Sequence, residues 1–141
     1  EGILVPVCPE VNGGLPVPRP AGEIQGTAAD VLTGIAQVTT AKNEDITRFY
    51  LSGAEHALSL CQQHNIHAAI LKENSPSCGS STVPDGSFNK KRILGEGVTA
   101  CLLRQNGIRV FSENEISEAA AYINANWHFS REQQGSIDAA Y

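Results

Sequence analysis

The stretch "AAILKENSPSCGSS", residues 68–81, sets an apolar tetrad directly against a run of small, polar and turn-forming residues with a cysteine inside it. Four consecutive apolar residues closed by turn formers read as a short buried strand, Ala68–Leu71. The cysteine that follows is out of character. Free cysteine is among the most buried residue types, yet Cys78 is flanked by Ser75, Pro76, Ser77, Gly79, Ser80 and Ser81. A thiol in a polar loop just past a buried strand asks for a chemical explanation.

Working outward from that strand, the chain alternates helical and extended patterns. From Asp45 the positions Ile46, Phe49, Tyr50, Gly53, Ala54, Ala57, Leu58 and Cys61 recur at the three-four spacing of one helix face, with Asp45 available as N-cap and an end near His64-Asn65. On the other side, Gly97–Gln105 reads as a helix closed by Asn106-Gly107, and Ile108–Phe111 as a strand. Ser112 and Glu115 then have the spacing of a capping box for a last helix through about Asn126. Near the start, Ile3–Val7 predicts a short strand, which Pro6 confines to an edge or a strand end. The four prolines and two glycines of residues 8–20 argue against helix and predict a rigid extended loop. Residues 23–41 suggest short β-arms around Gly26 and Gly34. Alternating helices and short apolar strands imply βαβ units, so the expected fold is α/β, a single domain over residues 1–141 with a mostly parallel, Rossmann-like sheet covered by helices on both faces.

Composition removes several classes of function. With 10 Lys+Arg against 15 Asp+Glu the net charge is −5, and no basic cluster beyond Lys90-Lys91-Arg92 offers a nucleic-acid footprint. No apolar run approaches the roughly 20 residues that span a bilayer, and no charged leader precedes an apolar segment, so neither membrane nor nucleic acid is an expected partner and a cytoplasmic location is the expectation. The cysteines at 8, 61, 78 and 101 form no C-x-x-C pair, and there is no P-loop, G-x-G-x-x-G, G-x-S-x-G or Cys-x₅-Arg signature.

Ligands of an open parallel sheet gather outside the carboxyl ends of its strands. Cys8 follows the first strand and Cys78 follows the strand at 68–71, so the topology can bring these two thiols to one rim. Their Ser, Gly and Pro neighbours leave backbone N–H groups free to face a thiolate, a sulfide or an anionic substrate. Cys61 and Cys101 complete apolar helix faces and read as core. Glu10, two residues past Cys8, is either a solvated acid or a carboxylate aimed into the crevice. Arg19 either clamps an anionic group or pairs with Glu23, and Ser75 and Ser77 either cap local backbone or meet a substrate. His56, His64, His67 and His128 lack metal-ligand spacing and read as surface or capping residues. Asp85-Gly86 reads as a turn.

The segments "PVCPEVNGGLPVPRP", "LKENSPSCGSSTVPDGSF" and "GEGVTACLLRQNGIRVFSENE" closely resemble the family known as domain of unknown function 523, which includes thiouracil desulfidases; the likeness spans nearly all of residues 3–118. The resemblance implies a 4Fe-4S cluster held by three cysteines with one iron open, and Cys8 and Cys78 match two of those ligands. The third family ligand lies upstream of the first segment seen here. The resemblance therefore implies a chain lacking its N-terminal strand, a cluster that belongs to the complete protein and can be absent from this chain, and an exposed sheet edge that would favour association. The implied activity is non-redox desulfuration of a thiolated nucleobase such as 2-thiouracil to its oxo form with release of sulfide. In that reaction Glu10 is the expected base, Ser75 a hydrogen-bond donor, and Ser77 and Arg19 weaker substrate contacts. Two other readings stand beside it: a cluster-free enzyme with Cys78 as nucleophile, and a noncatalytic module that binds a small ligand or senses iron.

Overall fold

The structure, a computed structural model, describes residues 3–126 and 138–140. Its main sheet has four parallel strands. Three come from the anticipated segments: β1 (Ile3–Val5), β4 (Ala68–Leu71) and β7 (Arg109–Ser112). The fourth, β8 (Asp138–Ala140), was not foreseen and lies between β1 and β4 in the order β1-β8-β4-β7. The remaining strands leave this sheet for two antiparallel pairs, β2 (Gly22–Gln25) with β3 (Gln37–Thr40) and β5 (Thr82–Pro84) with β6 (Arg92–Leu94). The fold is thus mixed α/β, as expected in outline: the main sheet is parallel but small, and the other four strands lie outside it in two antiparallel pairs.

Among the described residues five α-helices accompany these strands: α1 (Pro9–Asn12), α2 (Ala28–Leu32), α3 (Thr47–Gln63), α4 (Val98–Gln105) and α5 (Ile116–Asn126). Helix α1 corrects the reading of residues 8–20 as entirely non-helical. Pro9 stands at the first helical position, where its missing N–H would have had no partner anyway and its fixed φ suits the helix. Asp45 accepts from the Thr47 amide at 2.9 Å and supports the start of α3, although Ile46 holds the N-cap position itself. The Ser112–Glu115 capping box forms with both arms, the Ser112 amide donating to Glu115 at 2.9 Å, and Ser112 Oγ also accepts from the Asn114 amide at 3.2 Å. It starts a 3₁₀ turn that runs into α5. Among the described residues no helix is long and apolar enough to cross a membrane.

The two-residue period of β4 distributes its side chains between two cores. Ala69 and Leu71 pack with Cys61, Ala100 and Leu103 of α3 and α4, whereas Ala68 and Ile70 pack with Phe111, Ala119 and Ile123 on the α5 side. A third cluster joins Ile24, Val31, Val38, Tyr50, Ala54, Val98 and Cys101, tying the β2-β3 pair and α2 to α3 and α4. Val31, Val38 and Val98 are fully buried there, each worth about 1.5–3 kcal/mol by area removed from water. Cys61 and Cys101 are core residues, as their helical spacing implied. His64 is the C-cap of α3 and His56 is exposed, in line with the reading as surface or capping groups; His128 lies outside the described residues.

Candidate active site

Cys8 and Cys78 open into the same crevice, of about 250 Å³, beyond the carboxyl ends of β1 and β4; Glu10, Ser75, Lys72 and Glu113 also line it. The fold positions each thiol by backbone packing. On the first side, α1 lies so close to α3 that neither surface tolerates a side chain at the contact: a Cβ on Gly53 would run into the Pro9 carbonyl, and one on Gly13 into the Phe49 carbonyl. These two glycines clamp the Cys8-Pro9-Glu10 turn to the long helix.

On the second side, the carbonyls of the cysteine loop serve as the cap of α4. The Val98 amide donates to Pro76 O at 2.9 Å and the Thr99 amide to Ser77 O at 2.8 Å, so helix-start amides that have no intrahelical partner find one in the loop. Gly97 makes the approach possible, since a Cβ there would meet the Ser77 carbonyl group and the Cys78 amide nitrogen. Glu73 closes the loop from within. Its carboxylate accepts from the amides of Ser80, Ser81 and Thr82, each at 3.0 Å, and from the Ser80 and Ser81 hydroxyls at 3.0 and 2.9 Å. Partial burial raises the Glu73 pKa, but this ring of donors outweighs it and holds the group down at about 2. The stabilisation from these bonds is therefore present above the ordinary glutamate range and lost as pH falls towards 2.

Within the crevice Ser75 has a double role. Its hydroxyl oxygen accepts from the Ser77 and Cys78 amides, both at 3.1 Å, and its proton points to Glu10 Oε1 at 3.4 Å. Glu10 Oε2 accepts from Tyr50 Oη at 3.0 Å and from Arg19 Nε at 3.4 Å. Arg19 thus pairs with Glu10, not with Glu23, and does not line the crevice. Glu23 accepts from the Gly86 and Phe88 amides at 2.8 and 3.2 Å, which holds the turn at Asp85-Gly86. Ser77 is buried, with its hydroxyl 2.8 Å from Thr99 Oγ1, and has no open path to a substrate. It bears instead on the neighbouring thiol. Burial pushes the Cys78 pKa up to about 12, against the pull of the Ser77 and Ser75 hydroxyls and with reinforcement from Glu10 and Cys8.

Of the residues singled out from the sequence, the structure brings the two thiols, Glu10 and Ser75 to this crevice. Sequence reading missed Gly53 and Tyr50 as site components, because both fit the apolar stripe of α3, and it passed over Glu73, Lys72 and Glu113. The only local sign for Tyr50 is a hydroxyl on an otherwise apolar helix face. Lys72 and Glu113 form an ion pair of 2.8 Å at the crevice mouth, between the ends of β4 and β7. A separate hollow of about 200 Å³ between β4 and α5 is lined by aliphatic residues such as Ile70, Ile116 and Ile123 and carries no nucleophile.

The exposed Cys8 and the buried Cys78 should differ sharply towards alkylation. In metal-free protein at about pH 8, iodoacetamide should modify Cys8 at least tenfold faster than Cys78, since the thiolate is the reacting form and burial withholds it at position 78. Peptide mass spectrometry over a time course reads both rates. Equal rates would mean that the loop opens readily in solution.

The family model for 2-thiouracil desulfurase matches residues 3–115. This chain belongs to the 2-thiouracil desulfurase family. Among its relatives, the uncharacterized protein YbbK of Bacillus subtilis (strain 168) is 51% identical over 119 residues, covering 84% of this chain and 79% of that protein. A solved structure of the [4Fe-4S]-dependent thiouracil desulfidase TudS superposes with a TM-score of 0.77 at 44% identity, over 84% of this chain and 73% of the other. The family and the solved neighbour are named for desulfurising thiouracil, an enzymatic activity.

Proposed function

We propose that this protein removes sulfur from a thiolated nucleobase of the 2-thiouracil kind, exchanging C=S plus water for C=O plus hydrogen sulfide without net redox change. The observation that supports the reading best is the meeting of two thiols, a carboxylate and a hydroxyl in one crevice of a 2-thiouracil desulfurase family chain.

Cys8 and Cys78 are the residues that would hold an iron–sulfur cluster such as the one TudS depends on. The donor chemistry fits at two corners: two thiols face a shared space, one of them in a loop whose amides and hydroxyls surround it. Among the described residues no group of three or more His, Cys, Asp or Glu is arranged to hold a metal ion, so the pair needs further donors to complete a cluster. When bound, the cluster would supply a soft Lewis acid suited to thiocarbonyl sulfur.

The chain's own residues provide the rest. Glu10 Oε1 takes a proton from the attacking water, and the Ser75 hydroxyl, which donates to that oxygen, steadies it. The apolar side chains of Val7, Ile70 and Leu71 form the wall against which a planar base would lie. Arg19 holds Glu10 from behind. The reading of Cys78 as a free nucleophile loses support from its burial, which keeps the thiol protonated at neutral pH.

Protein purified and reconstituted under anaerobic conditions tests the proposal. Glu10→Gln should lower kcat for 2-thiouracil by about 10²- to 10⁴-fold, the usual worth of a positioned general base, at unchanged iron content. Reconstituted wild-type protein that releases no sulfide from thiolated pyrimidines would sink the assignment.

A further inference from the structure

We infer that Tyr50 is a positioning residue which decides the oxygen of Glu10 that handles the proton. The inference rests on the reading of Glu10 as the base and extends it to a residue in the core. Glu10 divides its two oxygens between two kinds of partner: Oε2 accepts from Tyr50 Oη at 3.0 Å and Arg19 Nε at 3.4 Å, and Oε1 faces Ser75 Oγ at 3.4 Å. The partners differ in rigidity. Arg19 shares its guanidinium with the Pro16 carbonyl at 3.3 Å and stays partly exposed. Tyr50 is 1% exposed, is the fourth residue of the 17-residue helix α3, and packs within the cluster of Ile24, Val31, Val38 and Val98.

The hydroxyl has almost no freedom. A Cβ on Gly22 would lie 2.9 Å from Tyr50 Oη and 2.8 Å from Ile46 Cδ1, so glycine at the start of β2 leaves just the space that the phenol fills. Burial first, then the charge of Glu10, raises the Tyr50 pKa above its ordinary value, and the phenol remains a donor. A rigid donor on Oε2 fixes the plane of the carboxylate, and the same plane presents Oε1 to Ser75 and to the crevice that holds Cys8 and Cys78. A small rotation of that carboxylate would misdirect proton transfer, which depends steeply on geometry.

Tyr50→Phe keeps the ring and removes only the donor. In reconstituted enzyme it should lower kcat for 2-thiouracil by roughly tenfold and leave KM within about twofold, with iron content and thermal midpoint near wild type. In a Glu10→Gln background the same change should add no further loss, because its effect passes through Glu10. A second readout is independent of the cluster: a crystal structure of metal-free Tyr50→Phe should show the Glu10 carboxylate turned away from Ser75. Wild-type kcat in Tyr50→Phe, an equal additional loss in the Glu10→Gln background, or an unmoved carboxylate would each overturn the inference. If Glu10→Gln keeps full activity, the base assignment falls and the positioning role falls with it. If Glu10→Gln is inactive and Tyr50→Phe is not, only the role of Tyr50 fails.

Discussion

Replacement of Cys78 by alanine should yield a folded, colourless protein that releases no sulfide from 2-thiouracil. The side chain is 8% exposed and belongs to the cluster with Leu71, Ala100 and Leu103, so its loss leaves a sulfur-sized gap costing roughly 1 kcal/mol. Folding survives that. Iron binding has less tolerance. Burial that pushes the thiol up to about 12 disfavours an uncompensated thiolate, and a positive metal centre in the crevice is what would make the anion favourable. Without Cys78, Cys8 is left as the one thiol in the crevice among the described residues, on its exposed side. Iron analysis, visible absorption and a sulfide assay on reconstituted protein read the outcome, with circular dichroism to verify folding. Wild-type iron content and sulfide release in Cys78→Ala would remove the basis of the functional reading.

Gly53→Ala should be among the most damaging single-methyl changes outside the thiols. In an exposed helix, glycine to alanine gains about 1 kcal/mol of propensity. At position 53 the added methyl meets the Pro9 carbonyl and Cα, which are backbone atoms without a rotamer to escape into. Overpacking of this kind costs about 1–3 kcal/mol, sometimes more, so the net effect is destabilising. The strain falls on α1, the turn that carries Cys8 and Glu10. Gly53→Ala should therefore lower the denaturation midpoint and, more sharply, reduce iron uptake and kcat as Cys8 and Glu10 move off the rim they share with Cys78. A variant with the midpoint and iron uptake of wild type would show that α1 can slide without consequence.

Local signals carried part of the fold. The stripe of α3, the apolar run of β4 and the Ser112–Glu115 box each depend on contacts within a few residues of chain, and each formed within a residue or two of the predicted position. The failures have local causes too. Counting prolines in residues 8–20 hid α1, because a proline at the first helical position supports a helix. Strands β5 and β6 are three residues each around a polar turn, and β8 is equally short, too brief for a periodicity to register.

For the site, the amino-acid sequence alone singled out groups that the structure places around one crevice: thiols, a carboxylate and a serine set in loops of Gly, Pro and Ser, directly after apolar strands. It could do so because residue type and flanking chemistry are local properties. Tertiary structure alone decided the pairings. Ser75 and Glu10 lie 65 residues apart, and Tyr50 and Glu10 lie 40 apart. Glu10 took Arg19 from Glu23, Ser77 turned inward to Thr99, and Gly53 became the seat of the Cys8 turn. Such contacts follow from how closely two backbones approach once the whole core is packed, and no stretch of residues contains that distance in advance.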